Sequence, residues 1–327
     1  MKILIALRHP FELWNSPPWL AQRLRADFPA LDITDLGGYE RLGEEIIDAE
    51  VFVGWSLRPE QLAAARRLRW IHSTAAAVHQ LLFPEMVASD VVLTNARDVH
   101  GPVVAEHAIA LILALAKRLP SAVRHQQSRT WGQEAMWHER PRPREVQGAT
   151  VVVVGMGSIG REIVPRARAL GMRVLAVREH PQRGADGAEA AVGPEGLNAV
   201  LAQADFVVIA TPLTPSTRGL FNAERLRRMK SDAYLINVSR GPVVDEGALA
   251  DALRNRTIAG AALDVFVQEP LPQDSPLWDL RNLLITPHTA AVTEKLWERH
   301  YDLIRDNLRR YLAGQPLRGV VDKSKGY

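Results

Sequence analysis

Ten residues, Val151 to Gly160, constrain this chain more than any others: VVVVGMGSIG runs four valines into three glycines spaced G-x-G-x-x-G. Consecutive β-branched residues suit a strand buried on both faces, as in a parallel sheet covered by helices. Gly155 would make the tight turn after that strand, Gly157 would let backbone approach a pyrophosphate, and Gly160 would let the next helix pack closely on the strand. The phosphates would then sit on N–H groups at a helix N-terminus, those near Ser158 and Ile159. A glycine-rich turn also arises where two elements merely pack, so context decides. Arg161 to Leu170 reads as a helix, Gly171 is placed to end it, and Met172 to Val177 starts another strand.

The alternation extends both ways. Upstream, strands are expected at Lys2–Leu7, Leu31–Leu36, Val51–Trp55, Arg69–Ser73 and Val91–Asn95, with helices at Pro18–Phe28, Tyr39–Ala49 and Pro59–Arg67 between them. This makes a small α/β unit without a glycine fingerprint. Gly101-Pro102 punctuates the chain, and Val103 to Leu119 reads as a helix apolar nearly all round, either central or part of a subunit interface. Pro120 to Gly148 is polar and irregular and carries Trp131 and Trp137, which suits an arm packed on its own chain or on a partner subunit. Downstream, strands are expected at Phe206–Ala210, Ala233–Val238, Ala259–Val265 and Leu283–Thr286, six from Val151 onward, and a long amphipathic helix at Ala291–Leu312. The expected fold is α/β: two doubly wound parallel-sheet domains, a Rossmann-type cofactor domain inserted into a flavodoxin-like split domain.

Composition narrows the function classes. The 40 basic side chains barely exceed 37 acidic ones and form no tract, so nucleic acid is not an expected partner. Zero cysteines exclude disulfides, thiolate catalysis and cysteine-dependent zinc sites, and no metal is expected. The apolar part of MKILIALRHP is too short for a signal peptide, and no stretch reads as long enough to span a membrane. A cytoplasmic protein without membrane association is expected.

Three polar residues follow strands of the second unit: Arg240 after LINVS, Glu269 after ALDVFVQ and His288 after LLITP. In open α/β sheets the carboxyl ends of strands face the ligand crevice. Each alone has a bland reading, as a surface ion pair, a turn cap or a loop histidine, but their joint placement beside a nucleotide site points to catalysis.

These stretches, with NARDVHGPVVAEHAIALILAL (Asn95 to Leu115), ATPLTPSTRGL (Ala210 to Leu220), LINVSRGPVVDEGAL (Leu235 to Leu249), AALDVFVQEPLPQDSPLW (Ala261 to Trp278) and ITPHTA (Ile285 to Ala290), resemble the D-isomer-specific 2-hydroxyacid dehydrogenase family. The resemblance implies an enzyme in which a dinucleotide-binding domain, residues 99–291, closes on a substrate-binding domain formed by residues 1–98 and 292–327. It implies the catalytic set Arg240, Glu269 and His288: Arg240 as a planar cation for the carboxylate and carbonyl of a 2-keto acid, His288 as the imidazolium that donates a proton to the alkoxide made by hydride addition to C2, and Glu269 on the other ring nitrogen, fixing the tautomer and stabilising the imidazolium. It places Thr211 and Pro212 on the adenosine side of the cofactor, and Val238, Asp264 and Ala290 near the nicotinamide. Backbone amides of the loop after Ser73, around Ala76 and Ala77, would bind the substrate carboxylate; Ala77 stands where relatives often have glycine. Trp55 and Leu57 are candidate pocket walls. Glu106 and His107 fall at the start of the interface helix, where a structural role is expected.

Among members, the absence of a tail beyond Tyr327 argues against the regulatory extension of phosphoglycerate dehydrogenases, and Glu269 argues against formate dehydrogenase activity. Reduction of small 2-keto acids such as glyoxylate or hydroxypyruvate is the expected activity, by a homodimer. A phosphite dehydrogenase-like enzyme and a dinucleotide-sensing corepressor are the alternatives. For the cofactor, the second strand of the nucleotide unit ends in Arg178, where enzymes using NAD place an acid for the ribose 2′-hydroxyl. A cation there suits a 2′-phosphate, with Arg183 as a second contact, so NADP(H) is expected ahead of NAD(H); Glu179, the next residue, keeps NAD(H) as an alternative.

Overall fold

Two parallel sheets carry the chain. The computed structural model describes residues 1–326. They divide into two compact units, Met1–His100 with Val292–Tyr327, and Gly101–Ala291.

In the first unit, strands β1 (Lys2–Ile5), β2 (Asp32–Asp35), β3 (Val51–Val53), β4 (Trp70–His72) and β5 (Val92–Thr94) pair in the order β2-β1-β3-β4-β5. Every pairing is parallel. This is the flavodoxin-like order. Period-2 alternation splits β1 between two cores: Ile3 and Ile5 face Leu20, Leu24, Trp297, Ile304 and Leu308, whereas Leu4 faces Leu42, Ile46, Phe52 and Ile71. Helix Leu296–Leu312 thus closes a face of this sheet. That helix begins later than Ala291. Tyr39–Ala49 is a single turn of α-helix, Leu42–Glu45, continued by a 3-10 turn, Ile46–Asp48.

The second unit adds β6 (Thr150–Val154), β7 (Arg173–Val177), β8 (Ala190–Val192), β9 (Phe206–Ile209), β10 (Tyr234–Asn237), β11 (Gly260–Leu263) and β12 (Leu283–Ile285), in the order β12-β11-β10-β9-β6-β7-β8. All are parallel. The order is that of a dinucleotide-binding sheet with one further strand at the far edge. The sequence reading counts six strands because β8 is only Ala-Ala-Val on an edge and none of its residues is buried. The valines of β6 are buried on both faces: Val151 and Val153 pack with Ala105, Ala108 and Ile112, and Val152 and Val154 with Leu197, Leu201 and Leu249.

Helix Arg97–Ala116 runs through Gly101-Pro102 instead of starting after it. A Cβ on Gly101 would come within 3.1 Å of the Ser158 carbonyl, so this glycine serves close helix contact, not a break. By length and composition this helix is sufficient to cross a membrane, contrary to the reading that no stretch is. Its apolar side chains, including Ala105, Ala108, Leu111, Ile112 and Leu115, are instead spent on the core against β6. The connection after it is not irregular: it forms helices Leu119–Gln127 and Gln133–His138. Trp131 lies between them at 90 % exposure.

Candidate functional site

The glycines of the fingerprint do three different things. Gly155 has φ +104°, and a Cβ there would lie 2.7 Å from the backbone of Ala210 and Thr211, so the turn after β6 runs against the end of β9. A Cβ on Gly160 would strike the Gly155 carbonyl oxygen. Gly157 differs, because a Cβ there meets nothing within 4 Å. Its lack of a side chain therefore answers no neighbour in the protein and leaves open space at the start of helix Ser158–Ala169, whose N-cap is Gly157 with no side-chain cap. A helix start with no N-cap side chain, behind an open glycine, fits an anionic group such as a pyrophosphate.

At the end of β7, the Arg178 amide bonds Val192 O, and its Nη1 donates to Gly184 O at 2.7 Å and to Asp186 Oδ2 at 2.8 Å. The side chain is only 11 % exposed. Asp186 thus braces the guanidinium, and the other nitrogens have no partner among the described residues. Arg183 is exposed and carries no ion pair among those residues. Thr211 is half-buried, Pro212 exposed, and Val238 and Ala290 are buried.

Beyond β10, Asn237 Nδ2 donates to Arg240 O at 3.0 Å, and Arg240 Nη1 donates to Ser239 O at 2.6 Å. Gly241 is in backbone contact with Phe266, which locks the Arg240 loop onto the loop leaving β11. Burial pulls the Arg240 guanidinium below its ordinary value, with the charge of Glu269 opposing. Glu269 Oε1 accepts from the Phe266 amide at 2.8 Å, and Oε2 lies 2.5 Å from His288 Nδ1. Burial acts to raise this carboxyl, but the bonds from His288 and Phe266 and the Arg240 charge outweigh it, leaving it below the ordinary range. An ionised carboxylate only accepts, so Nδ1 carries the proton. His288 Nε2 has no partner among the described residues, and the side chain is 48 % exposed. The ring is oriented by one nitrogen and open at the other, the arrangement needed to exchange a proton with a ligand.

The Asp264 side chain, placed near the nicotinamide by the resemblance, is engaged within the protein. It is 1 % exposed, and its carboxylate is spent on Thr286 Oγ1 and the amides of Thr289 and Ala290. Its side chain is turned inward to shape the segment that carries His288. The sequence reading missed Thr286 and also Glu246, whose Oε1 accepts from the Val267 amide at 2.6 Å and so holds the loop of Glu269. Burial raises the Glu246 carboxyl; the Val267 bond opposes, and the nearby Glu269 charge adds to the rise. A glutamate at the first position of a helix and a threonine two residues ahead of the histidine carry no spacing that reveals such contacts.

In the first unit, the loop after β4 is held by Ser73 Oγ, which accepts from the Ala75 amide, and by Asn95 Nδ2, which donates to Ala76 O at 2.7 Å. The amides of Ala76 and Ala77 have no partner among the described residues. Ala77 is not among the residues with positive φ, so alanine is unstrained where glycine was anticipated. Leu57 is no pocket wall: at 3 % exposure it belongs to the core with Leu4 and Phe52. Trp55 is half-buried, edge-on to His9.

A family model described as "D-isomer specific 2-hydroxyacid dehydrogenase, NAD binding domain" matches residues 109–290. The chain is 36 % identical over 278 residues to a glyoxylate reductase of Korarchaeum cryptofilum, covering 85 % of this chain and 80 % of that protein. It resembles the crystal structure of a D-isomer specific 2-hydroxyacid dehydrogenase from Xanthobacter autotrophicus Py2 in complex with NADPH and MES, with TM-score 0.83, 30 % identity and coverage of 100 % and 99 % of the two chains. An NADPH-dependent glyoxylate/hydroxypyruvate reductase from Sinorhizobium meliloti, solved with NADP and sulfate, matches with TM-score 0.82 at 26 % identity, again over 100 % and 99 %.

Proposed function

The chain belongs to the D-isomer-specific 2-hydroxyacid dehydrogenase family, and from that premise we propose that it reduces small 2-keto acids of the glyoxylate and hydroxypyruvate type, with NADPH as the preferred reductant. It is an NAD(P)-dependent oxidoreductase. The observation that carries the rest is the pair His288–Glu269 at strand ends, 2.5 Å apart, with His288 Nε2 left open. When bound, the reduced nicotinamide supplies the hydride. The protein's part is to hold the acid and move the proton. Arg240 clamps the carboxylate and polarises the carbonyl with a forked cation. His288 Nε2–H protonates the forming alkoxide, and Glu269 stabilises the imidazolium and keeps Nδ1 protonated. In oxidation the same ring takes the proton back.

For the dinucleotide, the space at Gly157 and the helix start after it receive the pyrophosphate. Arg178, braced by Asp186, donates its remaining N–H groups to the 2′-phosphate. A homodimer is proposed through the second unit, where Leu119, Val123 and Trp137 are exposed on two successive helices and Trp131 on the loop between them. Loss of absorbance at the nicotinamide band tests the whole reading. Glyoxylate or hydroxypyruvate should be turned over faster with NADPH than with NADH; no turnover of either, or of pyruvate, with both cofactors sinks it.

A further inference from the structure

His107 lies outside every role assigned above, yet its imidazole ends a chain of hydrogen bonds that reaches the backbone of His288. Thr286 Oγ1 donates to Asp264 Oδ1 at 2.6 Å and lies 3.1 Å from His107 Nε2. A hydroxyl has one proton. Spending it on the carboxylate leaves Thr286 Oγ1 only lone pairs toward the ring, so His107 is the Nε2–H tautomer and donates. The same nitrogen stands 3.5 Å from Asp264 Oδ1. Burial pushes the His107 pKa down, with the Asp264 charge opposing. A neutral ring with one N–H, pointed at the threonine, is the form that results.

Asp264 passes this constraint on. Its Oδ1 also accepts from the Thr289 amide at 2.9 Å and its Oδ2 from the Ala290 amide at 3.1 Å. Its main-chain oxygen accepts from the His288 amide at 2.9 Å. Between these anchors His288 has φ +53°, a left-handed backbone that a residue with a Cβ adopts only when its surroundings over-determine it. Threonine on one side and two amides on the other, all on one buried carboxylate, are that over-determination.

We infer that His107 is a positioning residue for His288: its Nε2–H holds the Thr286 hydroxyl on Asp264, and through that carboxylate it sets the backbone turn that aims His288 Nδ1 at Glu269. The kinetic half of this inference rests on His288 as the proton donor; the geometric half does not. Two readouts therefore test it. In long-range proton–nitrogen spectra of the imidazoles, recorded where the ring is neutral, His288 is expected as the Nδ1–H tautomer in the wild type and in His107→Gln, whose amide nitrogen replaces the donor. In His107→Leu a mixture with the Nε2–H tautomer is expected. In turnover, His107→Leu should lower kcat by about tenfold or more with KM for NADPH within about twofold, and His107→Gln should recover kcat to within about threefold. Because the two groups act in series, His107→Leu added to Thr286→Val should cost nothing beyond Thr286→Val alone. If His107→Leu does not fold, Thr286→Val, close in shape to the native residue, carries the same test against Thr286→Ser. An unchanged His288 tautomer in the folded variant, or additive kinetic losses, overturns the inference. A tautomer that moves while kcat stays supports the inference and counts against His288 as the proton donor.

Discussion

Replacing Gly157 and Gly160 separately by alanine should divide cofactor binding from stability. At Gly157, φ −78° and ψ −158° suit any residue, and a Cβ meets nothing within 4 Å. Gly157→Ala should therefore leave the folded state unstrained and gain about 0.4–1 kcal/mol from the less flexible unfolded chain. The new methyl occupies the space a pyrophosphate must enter. Losing one charge-assisted hydrogen bond there costs about 1.5–3 kcal/mol, or roughly a 10- to 150-fold rise in Kd. At Gly160 the Cβ collides with the Gly155 carbonyl oxygen, which is backbone and fixed on its other side by the contact with Ala210. Overpacking costs about 1–3 kcal/mol, and a clash with fixed backbone lies in the upper part of that range, about 2–3 kcal/mol, partly offset by the ~1 kcal/mol that alanine gains over glycine within a helix. A net loss of about 1–2 kcal/mol lowers Tm by roughly 2–8 °C in a unit of this size. Calorimetry reads the stability, and quenching or enhancement of NADPH fluorescence reads Kd. A Gly157→Ala protein that binds NADPH normally but melts early would refute the reasoning, as would a Gly160→Ala protein as stable as the wild type.

His288→Ala should lower kcat by about 10²–10⁴ with NADPH affinity nearly intact, and near-normal turnover in steady-state assays would remove it as the proton donor. Arg178→Asp should move the ratio of kcat/KM values toward NADH by at least about tenfold; a wild type that already favours NADH and a ratio that does not move would rule out the 2′-phosphate contact. In the first unit, burial pulls the His72 pKa down to about 4 and pulls His300 well below its ordinary value, with the charges of His100 and His72 adding to the latter. The unfolded chain takes up these protons from about pH 6.5, whereas folded His72 does so only near pH 4. Stability is then full above about pH 6.5 and falls through the interval below it by about 1.4 kcal/mol per pH unit for each such ring. Urea unfolding at pH 7 and pH 5 should register this in the wild type and less of it in His72→Gln; equal curves for wild type at both values would count against it.

What could be read from sequence depended on how local the deciding contact is. The run Val151–Val154 and its glycines define a strand, a turn and a helix start within ten residues, and the order of the sheet follows from alternating elements. β8 escaped because three small residues on a solvent edge carry neither a buried pattern nor length. Helix Arg97–Ala116 was read as starting late because Gly101-Pro102 normally punctuates; the contact with Ser158 that gives Gly101 its purpose is 57 residues away. The connection from Leu119 to His138 has helix-forming residues, but its polar and aromatic mixture has no clean apolar stripe.

The site divides along the same line. Arg240, Glu269 and His288 announce themselves because each follows an apolar strand, and sheet topology then gathers strand ends whatever the intervening length. Arg178 was legible as a charge at a strand end, but not its brace, since nothing at Asp186 distinguishes a partner from a solvated turn. Asp264 was placed near the nicotinamide by the resemblance, and its side-chain partners were not legible. Its carboxylate turns inward, where three donors from residues 286–290 meet it at a buried position. A buried charge that meets several donors is costly to disturb, so the segment it holds is stiffer than its loop-like sequence suggests. The histidine with an open ring nitrogen is thus carried by a backbone held at several points. That combination, a rigid mount with a ring nitrogen open, would let the proposed proton transfer proceed without first ordering the donor.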